Sequence, residues 1–233
     1  MLKLLRSFLK NSWLPPIAQN FIGTFLGILI TFGTSAYLDE QKREDIANRL
    51  LSRAADCIDD YAEQMEVNCS NLLQTDSVFL RVNKCYPAHL DALGEDTLKL
   101  FIQGFYNIGI KQPDKSVEGV FANNIEVMRS VDLELQVDIA SYFSAYDYFM
   151  TYMEELLKEQ NEVYQRCVSH KYIGDCSRYE QAVTLLECPE VRNYLIKYHK
   201  SLRILVLLKD LFKEECKSLR QTTGLKKEDP TVI

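Results

Sequence analysis

From Ile17 to Leu38 the chain runs through twenty-two positions without one charged side chain, and beyond Asp39 apolar residues return at alternating steps of four and three. At helical rise the uncharged run covers roughly 33 Å, enough for the hydrocarbon core of a bilayer. A single transmembrane helix is therefore predicted over 16–38. A cleaved signal peptide is the rival reading, but its apolar core is usually only about 7–15 residues long and ends in a small-residue site. Ser35-Ala36-Tyr37 matches such a site poorly.

Three heptad seams follow. Ala47, Leu51, Ala54, Ile58, Tyr61, Met65, Asn68 and Leu72 keep one register, and no Gly or Pro interrupts the chain from Ala36 to Gln74. This predicts a rigid stalk continuous with the membrane helix. After a stretch broken by Pro87, Gly94, Gly104, Gly109, Pro113 and Gly119, a second seam starts behind Asp132, a candidate N-cap. It carries Leu135, Ile139, Tyr142, Tyr146, Phe149, Met153, Leu156, Gln160, Val163 and Cys167. A short helix over 178–186 precedes Pro189, suited to a first helical position, and a third seam of Val191, Leu195, Tyr198, Leu202, Leu205, Phe212, Cys216 and Leu219 ends near Gly224. Three apolar seams cannot all face water. The fold class expected is all-α: one N-terminal membrane helix, a stalk and an antiparallel bundle with short helices closing one end. The domain reading is an amphipathic basic segment at 1–15, the span at 16–38, stalk and bundle at 39–224 and a disordered tail at 225–233.

Charge sharpens the picture. Lys3, Arg6 and Lys10 are the only charges before Asp39, so the part beyond is three units more negative than the chain's net −6. Such a body repels phosphate backbones, which excludes nucleic acid as partner. The basic start, with Leu2, Leu5, Phe8 and Leu9 on one helical face, suits an anionic cytoplasmic leaflet. That places the N-terminus in the cytoplasm and the body outside it. An odd count of seven cysteines leaves a reducing compartment, with the body cytoplasmic, as the alternative.

The order of basic start, membrane helix and acidic stalk, followed by Lys115 to Phe143, resembles a family of uncharacterised single-pass bacterial membrane proteins. Ser116, Glu118, Asn124, Ile125, Leu135, Ile139 and Tyr142 carry that resemblance, with Val117 where those proteins place an aromatic. It implies a membrane helix followed by a helical domain, and carries over no established activity.

Candidate chemistry is sparse. Gly23, Gly27, Thr31 and Ser35 recur every fourth residue, giving one face of the membrane helix only small side chains, the spacing that lets two backbones approach closely. Tyr142, Tyr146 and Phe149 belong to an aromatic run that either fills a core or lines a ligand pocket between helices. Cys167, His170, Cys176 and Cys188 match no usual zinc spacing, and the carboxylates from Asp56 to Glu66 lack the Glu-x-x-His partner of a bundle metal site. No nucleophile motif or P-loop occurs, so no enzyme, cofactor or metal is expected. The function expected is a membrane-anchored interaction or sensing protein that self-associates, with the lipid bilayer, a second copy and another membrane protein as partners. The alternative is a ligand-binding receptor domain using the aromatic pocket.

Overall fold

The computed structural model describes residues 16–106, 108–124, 129, 131–169 and 176–223; the side chains at 16–23, 26, 36, 169, 222 and 223 lie outside the described part. The basic segment and the tail expected at the two ends fall outside it too. Six α-helices appear in the order α1 (Pro16–Cys85), α2 (Glu95–Gln103), α3 (Ser116–Asn123), α4 (Leu133–Ser169), α5 (Arg178–Glu187) and α6 (Pro189–Thr223), with no strand among the described residues.

Each long helix forms where a seam repeats, and the seams meet. All eight positions from Ala47 to Leu72 are buried, as are Val191 to Leu219 of the third seam and most of the second, with Leu135 and Tyr142 half-buried at its start. The ends carry the local signals expected of them. The Asp132 carboxylate accepts a hydrogen bond from the Glu134 N–H at 2.8 Å, as an N-cap does. Ser177 and Glu180 form a reciprocal capping box that starts α5, and Pro189 opens α6.

Two expectations need correction. The first concerns α1, which runs on to Cys85 instead of ending near Gln74. The four-three spacing continues through Leu72, Asp76 and Phe79, and no proline interrupts it before Pro87, but a carboxylate at a seam position hid the register. The second concerns direction. α6 runs antiparallel to both other long helices: it meets α1 through Tyr198 at Leu72 and Arg220 at Asp59, and α4 through Tyr194 at Leu156 and Tyr142 at Glu215. α1 and α4, however, run parallel, with Tyr61 beside Phe143 and Asn68 beside Met150. The cause is the connection between them. After α2 the chain returns along α1, where Gly109 meets Asn71 and Lys111 meets Asn68, and Phe121 then packs on Phe143. A connection that travels back the length of the bundle delivers the next long helix in the same direction.

The end remote from Pro16 is closed by α2 and α5, which pack against each other. Phe79 of α1 sits at its centre against Phe101, Phe105 and Tyr198. The opposite half of α1 behaves differently. Every described side chain from 24 to 46 is exposed, among them Phe25, Ile28, Leu29, Ile30 and Phe32, and burial begins only at Ala47. Among the described residues no helix is long and apolar enough to cross a membrane. The predicted span starts at residues whose side chains lie outside that part.

The seam expected to serve a stalk is filled by this chain's own α4 and α6. It is therefore core, and does not offer a second copy a coiled-coil surface.

Candidate functional site

Asp76 is a carboxylate at a core position. Seam register places it on the inner side of α1, 5 % exposed, and the antiparallel passage of α6 brings His199 to it. Nδ1 of His199 lies 2.7 Å from Oδ2, while Oδ1 is buried without a hydrogen-bond partner. Beside the pair opens a groove of about 250 Å³ between α1 and α6, walled by Leu73, Leu202, Val206 and Leu207, with Arg203 at its rim. Burial raises the phenol of neighbouring Tyr198 far above its ordinary value, and the Asp76 charge adds to the effect.

The pair can orient the imidazole and hold a polar group at the floor of an apolar groove. None of the seven groove residues carries a hydroxyl or thiol for the imidazole to activate. Sequence reasoning missed this site. Asp76 and His199 are separated by 123 positions, and the available signal was a carboxylate sitting in heptad register after Leu72.

The predicted aromatic trio lies elsewhere. Tyr146 and Phe149 are fully buried, and Tyr146 stacks on Tyr61 with ring centroids 4.1 Å apart. Tyr142 packs edge-on against Phe212 and donates its hydroxyl to the Glu215 carbonyl at 3.0 Å; burial pushes its phenol up to about 12. Tyr146 and Phe149 therefore occupy core positions, and Tyr142 lies half-buried at the edge of the core where α4 meets α6.

On the predicted membrane-helix face, an added Cβ at Gly27 would meet nothing within 4 Å. Thr31 donates its hydroxyl to the Gly27 carbonyl at 2.8 Å, so its polar atom is satisfied within the helix. Ser35 is exposed. The surroundings of Gly23 lie outside the described residues.

Of the cysteine and histidine set, His170 is outside the described residues, and no group of three or more metal-binding side chains occurs among those described. Cys167 and Cys188 are brought together. Burial pushes the Cys69 and Cys216 thiols up to about 11 and about 12, the reactivity of inert core positions.

The carboxylates expected to form a solvated face are partly engaged. Arg220 of α6 binds Asp56 at 2.5 Å and Asp59 at 2.6 Å, and Lys209 and Lys213 both reach Glu66 at 3.2 Å. Those lysines hold the Glu66 carboxyl below its usual range. Arg220 is only 17 % exposed and bridges two carboxylates, so replacing it by Ala is expected to cost about 1–2 kcal/mol, more than an isolated surface pair. Denaturant unfolding at two ionic strengths checks this: the difference from the parent should shrink with salt. A difference that ignores salt would assign the loss to packing of the Arg220 stem.

No protein-family model, curated protein or solved structure matches the chain.

Proposed function

We propose that this chain is a single-pass membrane protein of non-enzymatic character, whose α1 runs from lipid into a helical interaction or sensing module. One observation carries the reading: the same unbroken helix is apolar and exposed on all described sides from 24 to 38, and becomes core from Ala47. Monomeric soluble proteins rarely leave so large a contiguous apolar surface in water. Lipid accounts for it, because a helix satisfies its own backbone and the hydroxyls of Thr31 and Thr34 bond to carbonyls one turn back.

Self-association is assigned to the face of Gly23, Gly27, Thr31 and Ser35. Its support is the every-fourth-residue spacing of small side chains and the open space around Gly27, since the seam below is filled from within the chain and offers no second surface. The body is placed outside the cytoplasm, following the basic N-terminus.

Two measurements test this. The full chain should stay with the membrane pellet after alkaline washing, and its recovery in the supernatant would discard the anchor. Gly27→Ile should lower the crosslinked dimer yield in membranes several-fold, since a branched side chain holds two backbones apart. Unchanged yield would remove the interface and leave the anchor standing. Orientation is read on Cys176, exposed and thus the first cysteine to react with an impermeant maleimide in intact cells. Labelling only after permeabilisation would place the body in the cytoplasm.

A further inference from the structure

Cys167 and Cys188 lie side by side at the end of the bundle remote from Pro16. Cys167 is buried in the last turns of α4, and Cys188 is half-buried in the single residue between α5 and α6. Their Sγ atoms are 2.6 Å apart. Two side chains converge in this way only when their Cβ atoms already point at each other, the condition that most cysteine pairs fail. The other buried cysteines show the contrast: Cys57, Cys69 and Cys216 lie in the core along α1 and α6 as small apolar side chains.

We propose that Cys167 and Cys188 are a redox-active pair that closes into a disulfide, fastening the end of α4 to the α5–α6 junction. The oxidant is a small-molecule disulfide, and the reaction is thiol–disulfide exchange. Cys188, the more accessible, attacks as thiolate on one sulfur of that disulfide, forming a mixed disulfide and releasing one thiolate. That leaving thiolate takes the proton of Cys167. Cys167 Sγ then attacks Cys188 Sγ and expels the second small thiolate, which takes up the proton lost by Cys188. Two protein thiols are oxidised by two electrons, and one small disulfide is reduced to two thiols. Burial and the adjacent Cys188 push the Cys167 thiol up to about 12, in keeping with its acting second.

The bridge closes residues 168–187 into a loop that contains α5. Because α5 packs on α2, the covalent link fixes the cap over Phe79. The seven cysteines thus divide into a pair able to bridge, the core thiols of Cys57, Cys69 and Cys216, half-buried Cys85 and exposed Cys176. The assignment does not depend on the membrane reading, since the exchange needs only access of a small disulfide to Cys188.

The test uses the full chain in non-ionic detergent. One sample is treated with oxidised glutathione and another with a phosphine reductant; both are alkylated with N-ethylmaleimide in denaturant and digested with trypsin. Cleavage after Arg166, Lys171, Arg178 and Arg192 puts Cys167, Cys176 and Cys188 on three separate peptides. The oxidised sample should yield the Cys167 and Cys188 peptides joined, two hydrogens lighter than their sum, with two fewer alkylated cysteines than the seven of the reduced chain. Full alkylation of both residues after oxidation overturns the proposal, as does a bridge from Cys176 to either one. The melting temperature should be higher oxidised than reduced, and Cys188→Ser should abolish that difference. Should that variant fail to fold, the peptide map of the parent decides alone.

Discussion

Replacing Phe79 by Ala is expected to lower the unfolding free energy by about 3–5 kcal/mol, the range for an aromatic ring removed from a core that cannot collapse around the gap. Phe79 is 1 % exposed and touches three other rings: Phe105 at 4.8 Å, Tyr198 at 5.3 Å and Phe101 at 5.7 Å between centroids. Those partners sit on α6, on α2 and just past its end, so no single helix can shift inward to fill the space. Gly104 faces the ring as well. A Cβ there would come within 2.8 Å of Phe79 Cε1 and 3.0 Å of Thr75 Cγ2, which makes Gly104 the side of the contact with nothing to extend. Its backbone is ordinary αR, so the reason for glycine is the close approach and not conformation.

The same geometry supplies the internal control. Gly104→Ala should destabilise the parent by overpacking, by about 1–3 kcal/mol, and should cost clearly less in the Phe79→Ala background, where the opposing ring is gone. Guanidinium unfolding of the detergent-solubilised chain, followed by helical circular dichroism, measures all three variants. Leu207→Ala, at a position 63 % exposed on the outer wall of the Asp76 groove, is the reference for a largely solvated side chain. A Phe79→Ala loss no larger than that reference would show that α2 and α5 do not form a cooperative cap.

The three seams were legible because each repeats its register over many turns, and an error at one position does not shift the rest. What the sequence concealed lies at the polar members of those seams. Asn68 reads as a weak position in α1, yet its amide donates to the Lys111 carbonyl and accepts from the Lys111 N–H at 3.1 Å. That pair of bonds pins the returning connection to the bundle and so sets α4 parallel to α1. Asp76 reads as the end of the seam, and is its most chemically distinctive member. Neither role can be read from spacing, because both partners are brought in by long connections. The aromatic run of α4 left core and ligand wall both open in sequence, and Tyr146 and Phe149 are buried on the inward face of the helix. On the small-residue face of α1 the fold of one copy leaves open space at Gly27, where an added Cβ would meet nothing within 4 Å.

Gln160 is the third polar seam residue, and Gln160→Ala is expected to cost about 2–4 kcal/mol through two separable losses. Its side chain is 2 % exposed in the C-terminal half of α4. The amide nitrogen donates to the Gly104 carbonyl, which lies at the C-terminal end of α2, where helix carbonyls lack intrahelical donors. Its carbonyl oxygen stands 3.1 Å from the Tyr194 hydroxyl, whose single proton is shared with the nearer Leu156 carbonyl at 2.8 Å. Tyr194 thus keeps a partner when Gln160 is lost, whereas among the described residues no other bond reaches the Gly104 carbonyl to replace the one removed. Leaving that buried acceptor bare costs about 1–3 kcal/mol, and the cavity left by truncation adds the remainder. Gln160→Leu retains most of the volume and should show the polar part alone. Amide hydrogen exchange locates the effect: protection should fall first over 98–105, at the end of α2, while the middle of α6 holds. Equal loss of protection in both helices would mean that Gln160 stabilises the bundle as a whole and does not cap α2. An unchanged profile in Gln160→Leu would mean that the Gly104 carbonyl finds water as readily as it finds the amide.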